Sequence, residues 1–106
     1  MRRKRRYLLV RVRPPDAVTG QQAFEALKGS VRTLFGEVGL LLSDLRLLRE
    51  ERGFVVVRCS LGQVWNVVLA ATLTNEVDGR RVALDVVRIS GSIRKIKKAL
   101  HITMSS

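Results

Sequence analysis

Histidine, cysteine, aromatic residues and acids are all scarce in this chain of 106 residues, and each shortage closes off a class of function. One histidine (His101), one cysteine (Cys59) and scattered carboxylates supply no nucleophile–base pair and no metal-ligand set at recognisable spacing. Catalysis by the polypeptide alone is therefore not expected. His101 reads as an exposed tail residue, and Cys59, at the end of a β-branched run, as a small buried hydrophobe. A lone cysteine closes no internal disulfide, which suits a reducing compartment; a cytoplasmic location is the expectation. The few aromatics (Tyr7, Phe24, Phe35, Phe54, Trp65) imply an aliphatic core, with Trp65 inside it, and weigh against a platform for stacking bases. No apolar run approaches the roughly 20 residues that cross a bilayer. Arg11 and Arg13 interrupt the one that follows Tyr7, so no secretory signal is expected either.

Positive charge is what the chain has in excess: 20 Lys and Arg against nine acids, a net charge of +11. The excess lies at the two ends. Arg2, Arg3, Lys4, Arg5, Arg6, Arg11 and Arg13 stand in residues 1–15, and Arg88, Arg94, Lys95, Lys97 and Lys98 in residues 86–106, with no acid in either stretch. The middle is nearly neutral. Self-repulsion of this kind opposes compaction and makes sense if a polyanion neutralises the ends, nucleic acid first among the candidates.

Residues 6–13 alternate, with Leu8, Val10 and Val12 on one face and Tyr7, Leu9, Arg11 and Arg13 on the other, and stop at Pro14 and Pro15: a first strand. Thr19 and Gln22 form a capping-box pattern ahead of Ala23, Phe24, Leu27, Val31, Leu34 and Phe35, which recur at helical spacing up to Gly36. Residues 39–49 fit either period, but the polar turn at 50–53 and the β-branched run 54–59 favour a hairpin of two strands. Ser60 and Gln63 repeat the capping box and open a helix whose face carries Leu61, Val64, Trp65, Val68 and Leu69. Asp78 and Gly79 turn the chain into a strand over 81–89. A short helix follows, with Ile93, Ile96 and Leu100 inward and Arg94, Lys95, Lys97 and Lys98 outward.

The order β-α-β-β-α-β plus a helix is the α+β, ferredoxin-like split βαβ plan shared by RNA-recognition domains, here with an added basic C-terminal helix. Residues 1–5 form a basic arm, 6–100 one domain and 101–106 a tail. Apolar side chains on both faces of several strands imply that the second sheet face is also covered, by the last helix or by a partner.

Arg52-Gly53-Phe54 opens like the RNA-recognition signature, but Val56 and Cys59 stand where that signature has aromatics. Ser90-Gly91-Ser92-Ile93-Arg94 carries more. Gly91 allows close backbone approach, and a helix starting there would aim free N–H groups outward beside Arg94 and Lys95, a site able to hold a phosphate. The bland alternative is that Ser92 only caps the helix and the bases are its solvated face.

Arg6-Tyr7-Leu8-Leu9, Gly53 through Arg58-Cys59, Trp65, and Ser90-Gly91-Ser92-Ile93-Arg94 together resemble the archaeal ribonuclease P protein component 2 family, the counterpart of a small protein shared by eukaryotic ribonuclease P and ribonuclease MRP. The likeness spans nearly the whole chain. Ser92 stands where the family usually has Thr, the basic run before Arg6 is longer than usual, and the acidic extension of eukaryotic relatives is lacking, which would suit an archaeal source.

The resemblance implies a noncatalytic subunit of a ribonucleoprotein endoribonuclease that removes the 5′ leader of precursor tRNA. RNA supplies the chemistry there, and magnesium belongs to the RNA site rather than to this chain. It also implies a partner, ribonuclease P protein component 3, in a heterotetramer that would explain the apolar second sheet face. RNA contacts are expected from Arg2, Arg3, Lys4, Arg5, Arg6, Arg11, Ser90, Gly91, Ser92, Arg94, Lys95, Lys97 and Lys98. Two other readings stand beside it: a general structured-RNA-binding or ribosomal accessory protein, and a protein-interaction module whose charge serves only solubility.

Overall fold

The computed structural model describes residues 4–105, so Arg2 and Arg3 lie outside the described residues. Strand β1 (Arg5–Arg13) turns Leu8, Val10 and Val12 to one side and Leu9 to the other, as the alternation requires. It pairs antiparallel with β3 (Phe54–Ser60) and with β6 (Ala83–Ser90), and β2 (Arg46–Glu51) adds an edge to β3, giving the order β2-β3-β1-β6. This is the split βαβ arrangement.

Helix α1 (Gly20–Ser43) opens with the expected capping box: Thr19 Oγ1 accepts from the Gln22 amide, and Gln22 Oε1 accepts from the Thr19 amide. It does not end at Gly36. That glycine takes a left-handed φ of 76°, kinking the chain, after which helix resumes and stops only at Asp44, itself left-handed. Residues 39–45, expected to be strand, are therefore helical through Ser43, and β2 begins at Arg46. The reason is visible in the side chains. Leu40 packs toward the core and Ser43, three residues on, is fully buried with its hydroxyl donating to the Gly39 carbonyl at 2.8 Å, which is helical spacing.

The second expected capping box is absent. Ser60 makes no side-chain cap bond; a 3₁₀ turn (Leu61–Gln63) leads into α2 (Val64–Leu73), and Gln63 Oε1 accepts from Asn66 instead. The buried face of α2 is Val64, Val67, Ala70 and Ala71, so Trp65, expected in the core, is 72% exposed. A helix apolar almost all round gives periodicity little to phase. The smaller residues turned inward. Asp78 and Gly79, both at positive φ, make a tight turn between short strands β4 (Glu76–Val77) and β5 (Arg80–Arg81), ahead of β6.

Helices α1 and α2 cover the sheet face that carries Leu8, Val10, Val55, Val57 and Cys59. The apolar part of the opposite face is covered by α3 (Ile93–Met104), whose Ile96 and Leu100 pack on Leu9 and Val56, with Tyr7, Phe54, Ile93 and Ala99 around them. The expectation that component 3 explains this apolar face is thus unnecessary: the chain's own last helix buries it. That helix also runs through His101 to Met104, where a tail was expected, and the first strand starts at Arg5 rather than Arg6. Each buried aliphatic in this smaller cluster contributes about 1.5–3 kcal/mol, enough to seat a helix of three turns.

Candidate nucleic-acid interface

The outer surface of α3 is built as its sequence spacing requires. Ser92 caps the helix, its Oγ accepting from the Lys95 amide at 3.3 Å, and the Ser90 hydroxyl accepts from the Ser92 amide at 3.1 Å. Both hydroxyls hold the helix start in place, so the capping role of Ser92 is real. Arg94, Lys95, Lys97 and Lys98 all point to solvent while Ile96 and Leu100 are buried between them.

Among the described residues, none of these four bases makes an ion pair, whereas Arg13, Lys28, Arg32, Arg46, Arg49 and Arg52 all face an acid within 4 Å. The first turn of α3 holds no acid either. Arg94 and Lys95 therefore sit at the positive end of the helix dipole with no acid among the described residues opposing them, an arrangement that costs a few tenths of a kcal/mol per charge and that an anion would reverse.

The two basic ends of the chain meet at this point. Tyr7 on β1 is the register partner of Ser90 on β6, which brings Arg6 beside the loop that precedes α3. A side chain at Gly91 would place its Cβ 3.1 Å from Arg6 Nη1, so the guanidinium lies close over the Gly91 backbone and would have to give a few tenths of an ångström to any larger residue. Arg6 also donates from Nη1 to the Arg5 carbonyl at 2.9 Å. Arg6, Ser90, Gly91 and Ser92 are thus brought together, with Arg94 and Lys95 next in the first turn of α3 and Lys97 and Lys98 continuing along the helix, whereas Arg5 pairs in register with Ser60.

The other expected contacts are dispersed. Lys4 lies beside Ser60–Gln63 and Leu42, its carbonyl accepting from the Leu61 amide. Arg11 stands toward the far end of β1, half-buried over the Phe54 ring at 5.4 Å and paired in register with Asp85. Its role there is packing as much as charge.

The RNA-recognition signature suggested by Arg52-Gly53-Phe54 has no open platform behind it. Val56 lies fully buried under α3, Phe54 packs at the rim of the same cluster, and Cys59 faces α1 and α2. Burial pushes the Cys59 thiol up to about 11, with Arg6 opposing that rise, so it is protonated and unreactive at neutral pH.

Sequence reasoning missed two surfaces. First, Arg46, Arg49 and Arg58, counted in the neutral middle, alternate onto the face where α3 lies: Arg58 is paired with Tyr7 and Arg46, and Arg49 with Val56. Knowledge of the strand register would have found them. Second, the helical layer carries an apolar outer side. Helices α1 and α2 run antiparallel, with Ser30 bonded to Thr74 near one end and Leu42 beside Leu61 near the other. Leu34, Val38, Leu41, Leu42, Trp65, Leu69 and Leu73 are exposed along the pair. Among the described residues, no helix is long and apolar enough to cross a membrane, and no group of three acids, histidines or cysteines is placed to hold a metal ion.

Ribonuclease P protein component 2 of Methanoculleus marisnigri is 34% identical over 102 residues; the alignment covers 95% of this chain but 64% of that protein, so the chain spans less than two thirds of the relative's length. The protein of the same name from Archaeoglobus fulgidus is 32% identical over 100 residues, covering 92% of this chain and 89% of the relative. A chain in the cryo-EM structure of yeast ribonuclease MRP shares the fold with a TM-score of 0.71, covering 99% of this chain and 95% of its own, at 12% identity. The family described as Rpp14/Pop5 matches residues 6–101, and the chain belongs to it.

Proposed function

We propose that the chain is a noncatalytic protein subunit of ribonuclease P, the ribonucleoprotein that removes the 5′ leader of precursor tRNA, and that it holds and stabilises the catalytic RNA through phosphate contacts. The observation that carries this reading is the basic row of α3, which meets no acid among the described residues and begins at the dipole-positive end beside Gly91 and Arg6. Family membership and the names of its relatives support it.

On this reading the chemistry belongs to the RNA, magnesium included, and the protein's contribution is electrostatic. Neutralising phosphates lets RNA segments approach one another and releases counterions. Component 3 and the other ribonuclease P proteins are the proposed protein partners, within a hetero-oligomer. With the apolar part of the second sheet face covered by α3, the apolar outer side of α1 and α2 is the surface available to a protein.

The test is binding of the cognate ribonuclease P RNA across a salt series. Affinity should fall steeply, log K dropping by roughly 0.7–0.9 per phosphate contacted for each tenfold rise in salt. Replacing Arg94, Lys95, Lys97 and Lys98 with Ala should weaken binding while leaving the fold intact. A nearly salt-independent affinity would contradict the reading. Equal binding to unrelated structured RNAs, with no stimulation of leader removal, would favour the general RNA-binding alternative.

A further inference from the structure

The α3 side of the sheet is only partly covered, because α3 contacts chiefly β1 and β6, and β2 lies at the sheet edge beyond β3. At one end of that face four register partners form a row across the strands: Arg46 on β2, Arg58 on β3, Tyr7 on β1 and Ser90 on β6. Adjacent strands lie about 4.8 Å apart, so the row is about 14 Å long. It ends where Gly91, Ser92 and the start of α3 begin. Arg94 and Lys95 follow; Arg6, the register partner of Cys59, reaches Gly91 from the other side of the sheet.

Arginines on an edge strand have a bland explanation, since charge keeps such an edge from pairing with another chain. That accounts for Arg46 and Arg49, the latter already held by Glu51 at 2.8 Å. It does not account for Arg58. This residue is on an interior strand, and its Nε, among the described residues, is buried without a hydrogen-bond partner. A buried donor left unmade is costly, and proteins keep few of them. Arg46, its cross-strand neighbour, is 65% exposed in its side chain and reaches its nearest acid, Asp44, only at 3.8 Å. Two arginines are thus cross-strand partners, and among the described residues Asp44 is the acid within 4 Å of either.

We propose that this row is a phosphate-backbone track: an RNA strand crosses the end of the sheet from Arg46 over Arg58 to the start of α3, with Arg58 as the anchor. A phosphate diester fits on three counts. It offers acceptor oxygens to a planar guanidinium, it supplies the charge the cluster lacks, and a chain of such groups can follow an extended row. The track gives the α3 site a direction, making it one end of a path whose other end is the β2 edge. This inference rests on the RNA-binding reading above and adds to it residues from the middle of the chain.

The experiment measures binding of the cognate ribonuclease P RNA to the full chain at several salt concentrations, for the parent protein and for Arg46→Ala, Arg58→Gln and Arg52→Ala, with circular dichroism on each. Arg52 bonds Asp16 on an exposed turn away from the row and serves as the control. Arg46→Ala and Arg58→Gln should each weaken binding about tenfold and reduce the salt slope by about 0.7–0.9, and Arg52→Ala should change neither. Parent-like affinity and slope in Arg46→Ala and in folded Arg58→Gln would overturn the track and leave the α3 reading standing. Should Arg58→Gln fail to fold, the exposed Arg46→Ala decides alone. No binding by the parent protein would overturn the RNA-binding reading and the track together.

Discussion

Replacing Ile96 with alanine perturbs the proposed interface without touching a charge. Ile96 is fully buried between α3 and the sheet, against a cluster whose other buried members are Leu9, Val56 and Leu100. Truncating an isoleucine in such a place costs about 2–5 kcal/mol through lost transfer energy and an unfilled cavity. A value near 3 kcal/mol is reasonable here, since a small cluster between one helix and a sheet relaxes more readily than a central core.

The helix joins the sheet through the short 91–92 connection, so the loss should appear as local release of α3 before global unfolding. At 1.36 kcal/mol per factor of ten, 3 kcal/mol corresponds to about a 150-fold faster exchange of α3 amides. Native-state hydrogen exchange reads this directly, with the amides of β1 and β3 remaining the slowest. RNA affinity should fall as well, because the basic row acts only when the helix is seated. Exchange in α3 unchanged within a factor of two, together with a stability change below about 0.5 kcal/mol, would refute the packing on which the interface depends.

Trp65→Ala should alter stability by less than about 0.5 kcal/mol, since the indole is exposed, yet weaken association with component 3; calorimetric titration of that complex checks the pair of expectations. Gly53→Ala should destabilise the fold by 1 kcal/mol or more in denaturant unfolding, because φ there is +77° and the new Cβ would stand 2.7 Å from Pro15 Cβ. Cys59 should resist thiol reagents at pH 8 until the protein unfolds. Its folded value near 11 lies above the ordinary 9.0, so the unfolded chain loses this proton first, and stability should fall as pH rises from about 9 to 11; Cys59→Ala should flatten that slope.

Much of the fold was legible because local signals agreed with burial. Thr19 and Gln22 gave the start of α1, the alternation of Leu8, Leu9, Val10 and Val12 gave β1 with both faces buried, and the spacing of Ile93, Ile96 and Leu100 gave α3 and its basic exterior. The failures came where one signal had two meanings. Gly36 at positive φ ends one helical run, but a glycine cannot announce that a second run begins beside it, so the leucines at 40–42 read as strand. Trp65 shares a helical face with Leu61, Val64, Val68 and Leu69 and so reads as core, whereas Val67, Ala70 and Ala71 give α2 a smaller inner face against α1 and the sheet. The arginine row across Arg46 and Arg58 was hidden for another reason: it exists only in the register between strands, with a bulge between Leu47 and Arg49 deciding which β2 residues share the α3 face. Charge counted along the chain averaged it away.

The central claim, that this chain assists ribonuclease P RNA by neutralising phosphate repulsion, is tested most directly by precursor-tRNA cleavage with the cognate RNA at low magnesium, with the protein added or omitted alongside its partner proteins. The account predicts that adding the protein raises the rate of 5′ leader removal, with the gain shrinking as magnesium rises and largely lost in the Arg94, Lys95, Lys97, Lys98→Ala variant. Cleavage that is the same with and without the protein across the magnesium range would contradict it.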